Sequence, residues 1–292
     1  MFHFIKYRKI FYALSILVIL PGIVSLAMHG LNLGIDFTSG SILEVRFDNP
    51  VTIEQVRETF NQLGIEAGRI QQSGDNDFII RTSKLSQEDI TKLTSAFNAG
   101  LGGAQLLRNE YVDPIISTEL FWNALMALGI AAVLMIIYIT IRFEFKQGLA
   151  AIIALLHDTL VVVGIFSLFR IEVDSAFIAA ILTIIGYSIN DTIIIFDRIR
   201  ENMHSQKKGQ SLEDLVNLSI WQTLTRSINT VLTVMFVLLA LFFLGGATVK
   251  TFVLAMLIGV ASGAYSSIFN ASPLWVDFKL MEKKERARAA RA

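Results

Sequence analysis

The chain contains no cysteine. That excludes a disulfide framework, a cysteine-ligated zinc or iron–sulfur site, and a thiol nucleophile. Charge is sparse as well: 17% of residues are charged, against about 25% in an average soluble domain. Neither sign is in excess, with 25 Lys plus Arg against 25 Asp plus Glu in 292 residues. Composition therefore argues against a nucleic-acid partner and against a disordered acidic chain. His3, His29 and His204 are scattered, with no metal-ligand spacing. Gly100-Leu101-Gly102-Gly103 neither follows a strand nor opens a helix, so it reads as a turn rather than a phosphate loop. No nucleotide loop, catalytic triad, metal cluster or cofactor motif stands out, and no enzyme chemistry is implied. What the chain has in quantity is apolar: 53% of its residues, with a mean hydropathy of +0.58.

The neutral total averages unlike parts. Residues 1–29 carry Lys6, Arg8 and Lys9 and no acid. Residues 30–115 carry seven cations and twelve acids, and residues 277–292 six cations and three acids. Between 116 and 276 charge is rare. Crossing a bilayer core takes about 20 mostly apolar residues. Six runs qualify, near 10–28, 120–141, 149–169, 176–196, 225–244 and 251–271. The first has a basic start but no small-residue cleavage site near Met28-His29, so it reads as an uncleaved anchor. Short loops rich in Lys and Arg stay in the cytoplasm. With both termini placed there, the inner pieces, together with Arg226 just inside its helix, hold 16 Lys and Arg, and the short outer loops only Arg170 and Lys250. The expected organisation is a cytoplasmic N-terminus and first span (1–29), an extracytoplasmic domain (30–115), spans two to six (116–276) and a basic cytoplasmic tail (277–292).

In the outer domain Ser41–Phe47 alternates apolar and polar residues like a strand, Phe78–Thr82 and Gln105–Val112 read as further strands, and Arg69–Gln72 as another candidate. Thr52–Leu63 and Ser86–Asn98 have helical spacing, and Thr52…Gln55 and Ser86…Asp89 have capping-box spacing. The order βαββαβ is that of a ferredoxin-like sandwich. Ser211–Trp221 reads as a separate amphipathic helix on the cytoplasmic face.

Ionisable residues inside a span are costly and mark function by default. His157 and Asp158 lie midway along span three, Asp191 in span four, and Arg226 at the start of span five. Tyr187 and Asn190 share a helical face with Asp191, and Asn229 and Thr230 share one with Arg226. Gly259 and Gly263 form a small-xxx-small pair that lets helices approach closely. A carboxylate in low dielectric without a full-time partner can take up and release a proton near neutral pH. Arginine cannot deprotonate, but by approaching and withdrawing it can gate such a group. Asp191, Arg226 and Asp158 are thus candidate proton-relay residues, with His157, Tyr187, Asn190, Asn229 and Thr230 as a supporting polar face. A static Asp191–Arg226 ion pair is the alternative. Asp36 just beyond span one reads most simply as a capped turn, and Phe37 beside it could pack on the rim of the bundle.

Gly186-Tyr187-Ser188-Ile189-Asn190-Asp191-Thr192, running into Asp197-Arg198-Ile199-Arg200-Glu201, strongly resembles the fourth span of the SecF family. His157-Asp158, Arg226-Ser227-Ile228-Asn229-Thr230, Tyr265-Ser266-Ser267-Ile268-Phe269 and Gly34-Ile35-Asp36-Phe37 agree with it. The resemblance spans nearly the whole chain. It departs at Ser39, where the family usually has Gly, and at Ala264, where Thr is expected. It implies half of a resistance-nodulation-division transporter, with SecD as the obligate second half. The SecYEG channel is implied as a partner, with YajC as a further candidate, together with unfolded exported polypeptides and membrane lipid. It implies that proton flow drives late steps of export across the bacterial inner membrane. It also places Asp191, Arg226 and Asp158 on the proton path, and makes Gly34, Asp36 and Phe37 a family mark at the outer face. Two other readings remain open here: an efflux transporter of small solutes or lipids, and a non-transporting membrane scaffold.

Overall fold

The computed structural model describes residues 2–206 and 209–289. Lys207 and Lys208, counted among the inner cations, and residues 290–292 of the basic tail lie outside the described residues. The chain begins with α1 (Arg8–His29) and a single turn α2 (Ile35–Thr38). Then come β1 (Gly40–Phe47), α3 (Ile53–Gln62), β2 (Ala67–Gln72), β3 (Asp77–Thr82), α4 (Gln87–Gly100) and β4 (Ala104–Val112). Long helices follow: α5 (Pro114–Arg142), α6 (Phe145–Leu168), α7 (Ser175–His204), α8 (Leu212–Leu244) and α9 (Ala247–Ser266). A π-turn over Ser267–Ala271 carries α9 into α10 (Ser272–Ala289). Two compact units result: Met1–Asn32 with Met126–Ala292, and Leu33–Leu125.

Among the described residues, six helical segments are long and apolar enough to cross a membrane. They are α1, α5, α6, α7, α8 and the continuous Val249–Ala289 stretch. The six apolar runs and the α/β domain between the first two are thus both present. The most apolar windows of α6 and α7 are 44% buried inside the protein, but those of α5 and α8 only 6% and 11%. Helices α6, α7 and α9 therefore form the interior, while α5 and α8 turn most of their surface outward. One expectation fails. Ser211–Trp221 is not a separate amphipathic helix but the opening of α8, capped by Ser211, which accepts from the backbone N–H of Asp214. No Gly or Pro lies between Leu212 and Leu244 to end the helix, so it runs unbroken, and Arg226 lies well inside it.

In the α/β unit the antiparallel sheet has the order β2-β3-β1-β4, the arrangement of a ferredoxin-like βαββαβ fold. Leu43 faces Ile80 and Val45 faces Phe78 across β1 and β3. Those residues and Phe47 bury one sheet face against Val56 and Phe60 of α3 and Leu93 and Phe97 of α4. Each large side chain buried this way contributes about 1.5–3 kcal/mol. Both capping boxes form as the spacing predicts, Thr52 with Gln55 and Ser86 with Asp89. The hydrogen bonds from the Ser86 hydroxyl and backbone N–H hold the Asp89 carboxyl below its usual range. A carboxyl whose folded value is lowered stabilises the fold above its unfolded value and loses that contribution as pH falls. Amide exchange at Leu93 and Phe97 is therefore expected to speed up as pH drops below about 4 relative to intrinsic rates. Ser86→Ala should flatten that acid response and cost about 1 kcal/mol.

Ser39 and Gly40 join α2 to β1. Gly40 has φ +122°, and a Cβ there would lie 2.6 Å from the Thr82 carbonyl oxygen, so only glycine fits. Ser39 holds φ 64° and ψ 169°, a region that is nearly glycine-only and costs about 1–3 kcal/mol for other residues. Ser39→Gly is expected to stabilise this unit by about 1 kcal/mol, after the added freedom of the unfolded chain is set against the relieved strain. Slower amide exchange along β1 would register the gain.

Candidate functional site

The interior of the helical unit is organised around Asp158 on α6, which is 1% exposed. Its Oδ2 accepts from Ser188 Oγ of α7 at 2.6 Å and from Ser266 Oγ of α9 at 2.7 Å. Its Oδ1 accepts from Ser262 Oγ of α9 at 2.7 Å and lies 3.0 Å from His157 Nδ1. A buried carboxylate is tolerable only when it is paired and hydrogen-bonded, and here both oxygens are engaged. Three helices are tied to one side chain. The glycines of α9 make that possible. A Cβ on Gly259 would lie 2.3 Å from the Ile184 side chain, and one on Gly263 would lie 3.0 Å from Ser188 Cβ. Any larger residue would push α7 off α9 and pull Ser188 away from Asp158. The His157 ring is stacked on Tyr265, with centroids 6.0 Å apart.

Asp191 lies on α7 three positions beyond Ser188, so one helix carries a donor to the first carboxylate and also the second carboxylate. It is 5% exposed. Its Oδ1 accepts from Ser227 Oγ of α8 at 2.7 Å. Its Oδ2 is buried and accepts no hydrogen bond from the described residues. Next along α7, Thr192 Oγ1 is 2.9 Å from Ser267 Oγ, where the π-turn begins. π-Turns relieve the regular helical ladder and often occur at functional positions.

Arg226 does not form a salt bridge with Asp191 among the described residues. Its neighbour Ser227 takes the carboxylate, and the Arg226 side chain is exposed on the outer surface of α8. Asn190 and Asn229 are exposed on the same pair of helices, and the Tyr187 hydroxyl donates to the Thr230 carbonyl at 2.9 Å. The α7–α8 pair thus presents an uncovered polar strip, with Asp191 just beneath it. Gly34, Asp36 and Phe37 belong to the other unit, where α2 holds Asp36 in its first turn and the Phe37 ring meets Phe121 edge-on at 6.2 Å.

Several contacts were not singled out by spacing. Ser188, Ser262 and Ser266 are the donors to Asp158; Ser262 and Ser266 lie beside the Gly259/Gly263 repeat of α9, while Ser188 stands on the facing helix α7, and no local spacing links the two helices. Gly22 of α1 and Gly164 of α6 form a second close crossing. A Cβ on Gly22 would be 2.6 Å from Gly164 Cα, and one turn away Ser25 and Ser167 share a 3.0 Å hydrogen bond. Among the described residues no group of three or more His, Asp or Glu could hold a metal ion.

Comparison with known proteins gives this arrangement a family. Residues 92–281 match the family described as "Protein export membrane protein SecD/SecF, C-terminal", and residues 24–51 match the "SecD/SecF GG Motif". Protein translocase subunit SecF of Acidaminococcus fermentans is 44% identical over 290 residues, 97% of this chain and 99% of that protein. Protein translocase subunit SecDF of Bacillus subtilis is 43% identical over 287 residues, 97% of this chain but 39% of that one. The crystal structure of SecDF from Thermus thermophilus superposes with a TM-score of 0.87 at 37% identity, covering 95% of this chain and 38% of that chain. The chain therefore spans less than half the length of those two SecDF proteins. From the near-complete match to a SecF subunit, and from the six spans with their inserted ferredoxin-like domain, the chain belongs to the SecF family of protein translocase subunits.

Proposed function

We propose that this chain is one half of a proton-driven accessory subunit of the bacterial Sec translocase, with Asp191 as the group that exchanges the proton. The observation that carries the reading is the half-satisfied carboxylate: among the described residues, Asp191 is buried, accepts from Ser227 alone, and leaves Oδ2 without a donor. A proton delivered there gives that oxygen a bonded hydrogen in place of a missing partner. Asp158, with both oxygens engaged, is the second carboxyl of the path and is coupled to Asp191 through Ser188 on the same helix. Arg226 is the gate. It makes no salt bridge with Asp191 among the described residues, and closing a partner over the strip would bring its charge closer to Asp191.

The exposed strip of Asn190, Arg226 and Asn229 supports an obligate partner, because polar side chains on a membrane-facing surface are costly. SecD is that partner, by the length of the SecDF proteins that this chain only partly covers. The fused molecule would have twelve spans in two related halves. SecYEG, with YajC, supplies the channel, and the emerging unfolded polypeptide is the load moved by the outer domain. The Lys and Arg bias of the short loops supports cytoplasmic termini, and the six apolar helices support a multi-pass inner-membrane protein. Arg226→Lys keeps the charge but loses the planar guanidinium fork. In cells whose only copy carries this change, export of a reporter is expected to fall at least tenfold towards the deletion level. Unimpaired export would remove Arg226 from the mechanism.

A further inference from the structure

Arg170, in the turn that follows α6, has φ 52°, a left-handed backbone that is uncommon outside glycine. The turn closes α6 by a regular pair of bonds. The Arg170 N–H donates to the Ser167 carbonyl at 3.2 Å, and the Ile171 N–H to the Phe166 carbonyl at 2.9 Å. Glycine is the usual residue at the left-handed position of such a closure. Here an arginine holds it, and backbone strain of this kind gathers at working positions.

The arginine side chain reaches the end of α1. Its Nη1 donates to the His29 carbonyl at 2.9 Å and to the Gly30 carbonyl at 3.0 Å. The last carbonyls of a helix have no partner inside it, and a cation beside them also meets the negative end of the helix dipole. Asn32 returns the contact, its side-chain amide donating to the Arg170 carbonyl at 2.9 Å. Ser167 is fully buried and donates to the Gly30 carbonyl at 2.9 Å. It also shares the hydrogen bond with Ser25, one turn from the Gly22–Gly164 crossing. The C-terminal end of α1 is thus tied to the end of α6 and to the turn that leads into α7.

That tie joins two tasks. Helices α6 and α7 carry Asp158 and Asp191, and α1 runs through Asn32 into the α/β unit, which begins at Leu33. The chain returns through α5, whose most apolar window is only 6% buried, so α5 is loosely held. We propose that Arg170, supported by Ser167, is a positioning residue that makes α1 follow α6 and α7, so that proton exchange at Asp191 is felt where the chain enters the α/β unit. This rests on the proton-driven reading above. Arg170 itself carries no proton and touches no load.

Arg170→Gly removes the guanidinium and suits the left-handed backbone, so the chain should accumulate and unfold thermally as the wild type does. In vesicles that hold the complex with its second half, proton flux is expected to stay within about twofold of wild type. In cells, the export gained from the proton gradient should fall at least fivefold. Arg170→Lys restores a charged donor without the planar guanidinium, and should recover part of that loss at the same flux. A merely structural residue would lower flux and export together. That joint loss, or unimpaired export by Arg170→Gly, would overturn the assignment. Undiminished flux in Asp191→Asn would instead overturn the role of Asp191, while a split between flux and export in Arg170→Gly would still support the tie.

Discussion

Cells that carry Asp191→Asn in place of the wild-type chain are expected to assemble the complex normally and yet lose the proton-gradient-dependent part of export. Asparagine is nearly isosteric. Its carbonyl oxygen can still accept from Ser227, so the α7–α8 contact, which rests on a 2.7 Å hydrogen bond, is retained. What disappears is the ability to bind and release a proton. The expected result is a fall of at least tenfold in the export increment produced by the gradient, measured with a secreted reporter, at unchanged abundance of the chain. Retained gradient dependence would remove Asp191 from the relay.

Asp158 should respond differently to two substitutions. Asp158→Leu removes the acceptor shared by three serine hydroxyls and the His157 ring, all at a site 1% exposed. Each stranded donor costs about 1–3 kcal/mol, so the helical unit should lose at least about 3 kcal/mol and the chain should fail to accumulate. Asp158→Asn keeps one carbonyl acceptor and presents an amide that a rotated hydroxyl can accept, so it should cost only about 1–2 kcal/mol. Thermal unfolding of the detergent-solubilised protein separates the two. If Asp158 is the second carboxyl of the path, the folded Asp158→Asn protein also loses export severalfold. Full export by that variant would reduce Asp158 to a tie between helices.

These tests rest on features that the sequence displayed to different degrees. The spans were readable because a membrane helix needs a continuous apolar run, which no other local structure requires. The helices of the α/β domain were readable from caps, since Thr52…Gln55 and Ser86…Asp89 satisfy donors within a single turn. Strand order was readable only through the βαββαβ sequence, because pairing such as Val45 with Leu106 joins residues 61 positions apart. The site divided in the same way. Asp158, Asp191 and Arg226 stood out because charge is rare in a span. Their partners did not. Whether Asp191 meets Arg226 or its neighbour Ser227 depends on a rotation of α8 of about 100°, the angle between successive helical residues. Nor does local pattern connect Gly22 to Gly164, since a small residue is a signal only when the facing helix is known. The unbroken α8 was missed because its first turns are amphipathic and its later turns apolar all round. That change of pattern can mark a boundary, but without a helix breaker it does not.

The central claim is that protons cross the membrane by way of Asp191, and proton flux is the most direct measure of it. The chain would be reconstituted with its SecD partner in sealed vesicles containing a pH-sensitive dye, and a proton gradient imposed. Wild-type vesicles are expected to dissipate the gradient measurably faster than empty ones, and Asp191→Asn vesicles to match the empty ones. Equal flux through wild type and Asp191→Asn would contradict the account.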